Sequence, residues 1–119
     1  VYKGQATVGA APDQPGLAVL PAMRAALAEA GLTPSELERS EVMEAYAAQA
    51  IACVQGAGLD PARINLKGGA LARGHPIGAS GARILNTLIH EMGRRDAKKG
   101  LATLCIGGGQ GLTVIFERL

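Results

Sequence analysis

Apolar and polar positions change rhythm several times along the chain, and each change marks an element. Tyr2, Ala6 and Val8 fall on alternate positions, with Gly4 as a gap, which predicts a first strand. Ala10 to Gly16 carries two prolines, an aspartate and a glycine and reads as a loop. A helix opens near Leu20-Pro21, repeats apolar residues at Met23, Ala26, Leu27 and Ala30, and stops at Gly31. Thr33-Pro34-Ser35-Glu36 starts a short second helix, in which Thr33 caps and Glu36 completes a capping box. Leu37 to Met43 is expected to hold a strand, although Glu38, Arg39, Ser40 and Glu41 make it unusually polar. From Glu44 the chain is alanine-rich and helical as far as Gly56 to Gly58. Asp60-Pro61 is a turn, and Ile64 to Leu66 is a short extended segment.

The stretch Lys67 to Arg83, KGGALARGHPIGASGAR, breaks every rhythm, with five glycines, one proline and one of the two histidines, His75. A helix leaves it with Ile77, Gly81, Ile84, Leu85, Leu88, Ile89 and Met92 along one side. Its first turns are small or apolar nearly all round (Gly78, Ala79, Gly81, Ala82), which predicts burial on most sides. The part from His90 to Lys99 is charged and should emerge into solvent, with Gly100 as the stop. Leu101 to Ile106 and Leu112 to Glu117 are strongly apolar strands around the turn GGGQG, and should pair as an antiparallel hairpin. These elements predict one α/β domain over residues 1–119, with a mixed five-stranded sheet, helices on both faces and a closing hairpin.

Composition narrows the function. Apolar residues make up 48% of the chain but aromatics only 3%, so Ala, Leu, Ile, Val and Gly must build the core. The net charge is +2. Its one basic cluster, Arg94, Arg95, Lys98 and Lys99, has no interleaved aromatics and reads as a solvated helix end, not a nucleic-acid surface. Two cysteines, Cys53 and Cys105, make neither a disulfide framework nor a metal site. No signal peptide and no membrane-length apolar run is visible, and a reducing, cytoplasmic setting is the default expectation. The chain begins with Val, which points to a fragment or a processed product.

Two residues stand out as chemistry. Pro76 suits the first position of a helix and puts His75 near its N-cap. The positive end of the helix dipole disfavours imidazolium, and a neutral histidine can act as a general base. A satisfied histidine packed in a loop fits the same pattern. Cys105 ends a strand just before a glycine turn whose N–H groups could form a nest for an oxyanion. A buried structural cysteine fits there too, and Cys53, inside an alanine-rich helix, reads as core. Gly107, Gly109 and Gly111 give part of a dinucleotide fingerprint, but a strand follows where that motif needs a helix. Glu44 reads as a carboxylate at the start of its own helix.

GGALARGHPIGASGARIL, followed by Cys105 in LATLCIGGGQG, resembles the C-terminal half of the thiolases, and MEAYAAQA resembles that family's Asn-Glu-Ala-Phe-Ala segment. The similarity runs from about Leu20 to Leu119. It implies the thiolase-like fold and thiolytic Claisen chemistry on 3-ketoacyl-CoA, within fatty acid and lipid metabolism. Coenzyme A thioesters are then substrates, with no resident cofactor or metal. The residue matching His75 is expected to activate the acyl-carrying cysteine of an N-terminal half and to help bind a thioester oxygen. The residue matching Cys105 is expected to move the α-proton, and the N–H matching Gly107 to help form an oxyanion hole. The implied partners are acyl-CoA and CoA, an N-terminal half and further copies in a dimer or tetramer, with no nucleic acid and no membrane.

Two departures qualify the likeness. Met43 stands where the family's asparagine holds an oxyanion-hole water, and a thioether is a weak hydrogen-bonding group. Lys67 and Arg73 stand where the family usually has neutral residues. The acyl-carrying cysteine and the family's CoA-binding loop domain have no counterpart in these 119 residues, so the chain alone is expected not to complete a cycle. A non-catalytic thiolase-like domain for binding or assembly is the alternative. Losing one oxyanion-stabilising group costs about a hundredfold or more in rate. Met43→Asn, in a complete enzyme carrying this half, is therefore expected to raise turnover, and an unchanged or lower kcat would count against Met43 as an impaired oxyanion position.

Overall fold

The computed structural model describes residues 1–119, as an α/β sheet with helices on both faces. The strands are β1 (Tyr2–Gly9), β2 (Arg39–Val42), β3 (Lys99–Gly107) and β4 (Gln110–Glu117). The helices are α1 (Val19–Ala30), α2 (Ala47–Ala57), the single turn α3 (Ala70–Arg73) and α4 (Ile77–Arg94). Strand order is β1-β4-β3-β2; β4 pairs antiparallel with both β1 and β3, and β2 runs parallel to β3.

Alternation along β3 and β4 divides the core. Leu101 and Ile115 face α1 and α2, in a cluster with Val19, Met23, Leu27, Val42 and Cys53. Ala102 and Val114 face α4, in a cluster with Met43, Ile84, Leu88 and Met92. Large side chains such as Met23, Leu88 and Leu101 are fully buried, each contributing about 1.5–3 kcal/mol of transfer free energy. With few aromatics, close backbone approach replaces bulk. A Cβ on Gly111 of β4 would lie 2.3 Å from the Ala18 carbonyl oxygen at the head of α1.

The sheet has four strands, not five. Ile64 makes only an isolated parallel bridge to Ser40. Asn65 turns the chain away at φ +48°, and its side-chain amide takes over the edge of β2. Val42 N donates to Asn65 Oδ1 at 2.9 Å, and Asn65 Nδ2 donates to the Val42 carbonyl at 2.8 Å. A side chain thus does the work of a fifth strand.

Other boundaries differ from the sequence pattern. The 34–36 segment is one 3-10 turn, held by Thr33 N donating to Glu36 Oε2 at 2.9 Å. Gly100 lies inside β3, and α4 ends at Arg94, followed by Asp96 at φ +54°. The charged end of α4 does not emerge whole, because Glu91 is buried beneath Arg94 and Arg95, at 2.5 and 3.4 Å.

The polar strand β2 has a similar account. Glu38 accepts from Lys98 N and Lys99 N at 2.9 and 3.2 Å, which ties β2 to the start of β3. Glu41 is buried on the α4 side, where burial pushes its carboxyl up to about 7; Arg73 opposes the rise, and Glu91 and Glu44 add to it. A carboxyl raised in the folded state stabilises fully below its unfolded value and progressively loses that contribution as pH climbs through the folded value. Between pH 4.5 and 7 this group should remove about 3 kcal/mol of stability. Glu41→Gln should flatten urea-unfolding free energy across that window, and a variant that keeps the wild-type slope would show that other groups set it.

Candidate active site

Gly100 sets the closeness of α4 to β3, and the neighbours of Gly100 and Gly81 show the helix direction. A Cβ on Gly100 would sit 2.4 Å from Met92 Sδ, and one on Gly81 would sit 3.5 Å from Leu104 Cδ1. Helix α4 therefore runs antiparallel to β3, with its start above the C-terminal end of that strand. Because β2 is parallel to β3, Met43 reaches the same end, its N–H donating to the Thr103 carbonyl at 2.9 Å. His75, Cys105, Gly107 and Met43 thus lie toward one edge of the sheet, although no hydrogen bond joins any two of them and the Cys105 side chain packs on the face away from α4.

His75 is exposed, one residue before Pro76, which is the N-cap of α4 and not its first helical residue. Its Nδ1 lies 2.7 Å from Ser80 Oγ, and Ser80 Oγ donates to the Pro76 carbonyl at 3.0 Å. A hydroxyl has one hydrogen. With that hydrogen on Pro76 O, Ser80 Oγ would accept and His75 Nδ1 would carry the ring proton, the assignment adopted for this network. Nε2 then holds the free lone pair. Ser80 is fully buried, so this orientation is fixed from beneath the helix.

The loop ahead of His75 is clamped by groups that the sequence pattern did not assign. Glu44 caps α3 and not its own helix, which begins at Ala47. Its Oε2 accepts from Leu71 N at 2.9 Å and its Oε1 from Asn65 Nδ2 at 2.8 Å. A Cβ on Gly69 would fall 2.3 Å from that carboxylate, so the GG pair makes room for it. Arg83 reaches back from α4, donating to the Gly74 carbonyl at 2.6 Å and to the Arg73 carbonyl at 3.4 Å. The only sequence signal for these clamps is Gly74, whose φ of +82° ends α3 at Arg73.

Cys105 is half-buried and faces the opposite side of the sheet from α4. Its thiol donates to the Gly16 carbonyl at 3.5 Å, and burial pushes its pKa up, with the neighbouring Cys53 adding to the rise. Gly107, Gly108 and Gly109 follow at φ +87°, +59° and +72°, a left-handed run that only glycine adopts without strain. The Met43 side chain is 2% exposed and packs into the α4 core cluster.

The start of α4 is not buried in this chain. Ile77 is 84% exposed and Leu71 63%, with Ile106 also open at the same edge. The small residues Gly78, Ala79 and Ala82 are exposed too. A cleft of about 490 Å³ lies between α2 and residues 61–72, lined by Ile51, Val54, Ile64 and Leu71 among others, but neither His75 nor Cys105 lines it. The groups around His75 form an open surface. No helix is long and apolar enough to cross a membrane.

Residues 1–118 match the family described as "Thiolase, C-terminal domain". The chain is 54% identical to an acetyl-CoA acetyltransferase of Cupriavidus necator over 116 residues, covering 98% of this chain and 30% of that protein. It is 58% identical to one from Paracoccus denitrificans over 113 residues, covering 95% of this chain and 29% of that one. The crystal structure of human mitochondrial 3-ketoacyl-CoA thiolase superposes with a TM-score of 0.95 at 41% identity, covering 99% of this chain and 30% of that one. Fold and motifs therefore define a thiolase-type α/β domain. The chain belongs to the thiolase family and corresponds to its C-terminal domain, spanning less than a third of the length of these relatives.

The Ser80 contact gives a direct test. Ser80→Ala removes the acceptor at Nδ1, and the nitrogen chemical shifts of the His75 ring should move from the Nδ1–H pattern toward Nε2–H. An Nε2–H pattern already present in the wild type would overturn the assignment.

Proposed function

We propose that this chain supplies the C-terminal catalytic half of a thiolase, an acyltransferase that makes or thiolytically cleaves 3-ketoacyl-CoA. The observation that carries this reading is the exposed imidazole whose Nδ1 is held by Ser80, at the sheet edge where Cys105 and the glycine turn also end. In cleavage, a cysteine thiolate of the N-terminal half attacks the 3-keto carbonyl. The Cα–Cβ bond breaks, and the electron pair leaves on the acetyl-CoA carbanion. His75 Nε2 takes the proton of the attacking thiol and then helps hold a thioester oxygen. Cys105 gives its proton to the carbanion, a role that suits a thiol kept protonated by burial. CoA thiol then attacks the acyl-enzyme, and its proton restores the starting state. The Gly107 N–H lies in the turn where a second oxyanion would be held.

The exposed apolar rim of Leu71, Ile77 and Ile106 supports a covering half supplied by further chain. A second reading, a non-catalytic thiolase-like domain, is favoured by Met43 alone, whose buried thioether offers no anchor for an oxyanion-hole water.

Thiolysis of acetoacetyl-CoA separates the two readings, measured with this chain alone and with a thiolase N-terminal half. The expected outcome is turnover only in the assembly, reduced about a hundredfold or more by His75→Ala. A complete, folded assembly without activity would sink the catalytic reading.

A further inference from the structure

The sequence reads Cys53 as core, and its side chain is fully buried in α2. Its thiol nevertheless donates to the Gly16 carbonyl at 3.5 Å, the same oxygen and the same distance as for Cys105. Two sulfurs that share one acceptor cannot be further apart than twice that distance. The arrangement is built from both sides. A Cβ on Gly16 would lie 2.8 Å from Gln49 Cγ, so only glycine lets α2 approach this turn, and Gln49 Nε2 donates to Cys53 Sγ at 3.4 Å. Cys105 packs against the cluster that contains Cys53. It also stands at a register shift in the β3–β4 ladder and runs into three left-handed glycines, so this end of β3 has room to adjust.

We propose that Cys53 and Cys105 form a dithiol site that hydrogen peroxide converts to an intramolecular disulfide across the Gly16 turn. Cys105, the more accessible of the two, reacts first. Its thiol gives up its proton, the thiolate sulfur attacks one peroxide oxygen, the O–O bond breaks, and Cys105 becomes a sulfenic acid as the leaving hydroxide takes that proton and becomes water. Cys53 Sγ then attacks the Cys105 sulfur, the S–O bond breaks, and the hydroxyl leaves as water with the Cys53 proton. Two thiols are oxidised and one peroxide is reduced to two waters. Closing the bond brings the sulfurs to about 2 Å, and the glycine-flanked end of β3 supplies that movement. Both thiols are held above their ordinary values by burial, so the reaction should be slow at neutral pH and speed up as the solution turns alkaline. The cross-link needs only the two thiols. Its consequence, loss of the proton-transfer thiol, rests on the role proposed for Cys105.

The test uses this chain, treated with hydrogen peroxide at alkaline pH, then alkylated and weighed intact. The expected product has lost about two mass units, takes up no alkylating reagent, yields a Cys53–Cys105 cross-linked peptide and regains both thiols on reduction. In Cys53→Ser, and in Cys53→Ala as a second variant, Cys105 should instead progress to the sulfinic acid, gaining about 32 mass units. Wild-type chain in which Cys105 gains oxygen while Cys53 still alkylates would overturn the proposal. So would a disulfide between two chains, or two thiols that stay unreacted under excess peroxide. These readouts do not depend on turnover, so a failed thiolysis assay in the assembly would leave them standing.

Discussion

The packing of α4 on β3 is the constraint on which the rest depends. Gly100 has no side chain, so Met92 and Leu88 close down on the strand at one end, while Gly81 lies beside Leu104 at the other. The helix is thereby fixed in direction and height. Its N-terminal turn, with His75 just ahead of it, comes to rest above the end of β3 that carries Cys105. The parallel pairing of β2 brings Met43 to the same edge. Widening the helix–strand contact at Gly100 would displace the imidazole from that edge, even though this glycine does not touch it.

The same economy explains how a chain with almost no aromatic residues holds a defined site. Tight backbone contacts leave polar groups near backbone atoms, and those groups become clamps. Asn65 closes the edge of β2 with its amide and passes a hydrogen bond to Glu44, which in turn holds the loop before His75. Arg83 holds the two carbonyls that precede the histidine, and Ser80 holds the ring. The histidine is therefore held by contacts to backbone and to one hydroxyl, while the rest of its ring stays open. An oriented group on an open face, ringed by exposed apolar residues, suits a site whose other half comes from further chain.

Hydrophobic rhythm made most of the fold legible. Periodicity located β1, α1, α4 and the closing hairpin, because their burial repeats over several turns or pleats and outweighs local accidents. It failed where one side chain or one dihedral decided the outcome. Ile64 to Leu66 looked like a strand, but the left-handed Asn65 diverts the chain and substitutes its amide for the missing ladder. Gly100 looked like a helix stop, yet its lack of a side chain serves α4 packing instead. The start of α4 looked buried because its residues are small and apolar, whereas in this chain Ile77 is 84% exposed. Residue chemistry reports that such a surface tends to be covered, not which polypeptide covers it.

By itself the sequence determined the order of elements, the glycine-dense approach to His75, the strand–turn placing of Cys105 and the motifs that carry the thiolase resemblance. These are local properties, set by spacing, backbone freedom and residue type within a few positions. Tertiary structure alone decided which carboxylate caps which helix, that Ser80 meets the His75 ring, and that Cys53 and Cys105 meet at one carbonyl. Those outcomes join residues far apart in the chain, as with Glu44 and Leu71 or Gly16 and Cys105. A hydrogen bond or a thiol contact exists only when both partners arrive within a few tenths of an ångström, and no local pattern encodes that meeting.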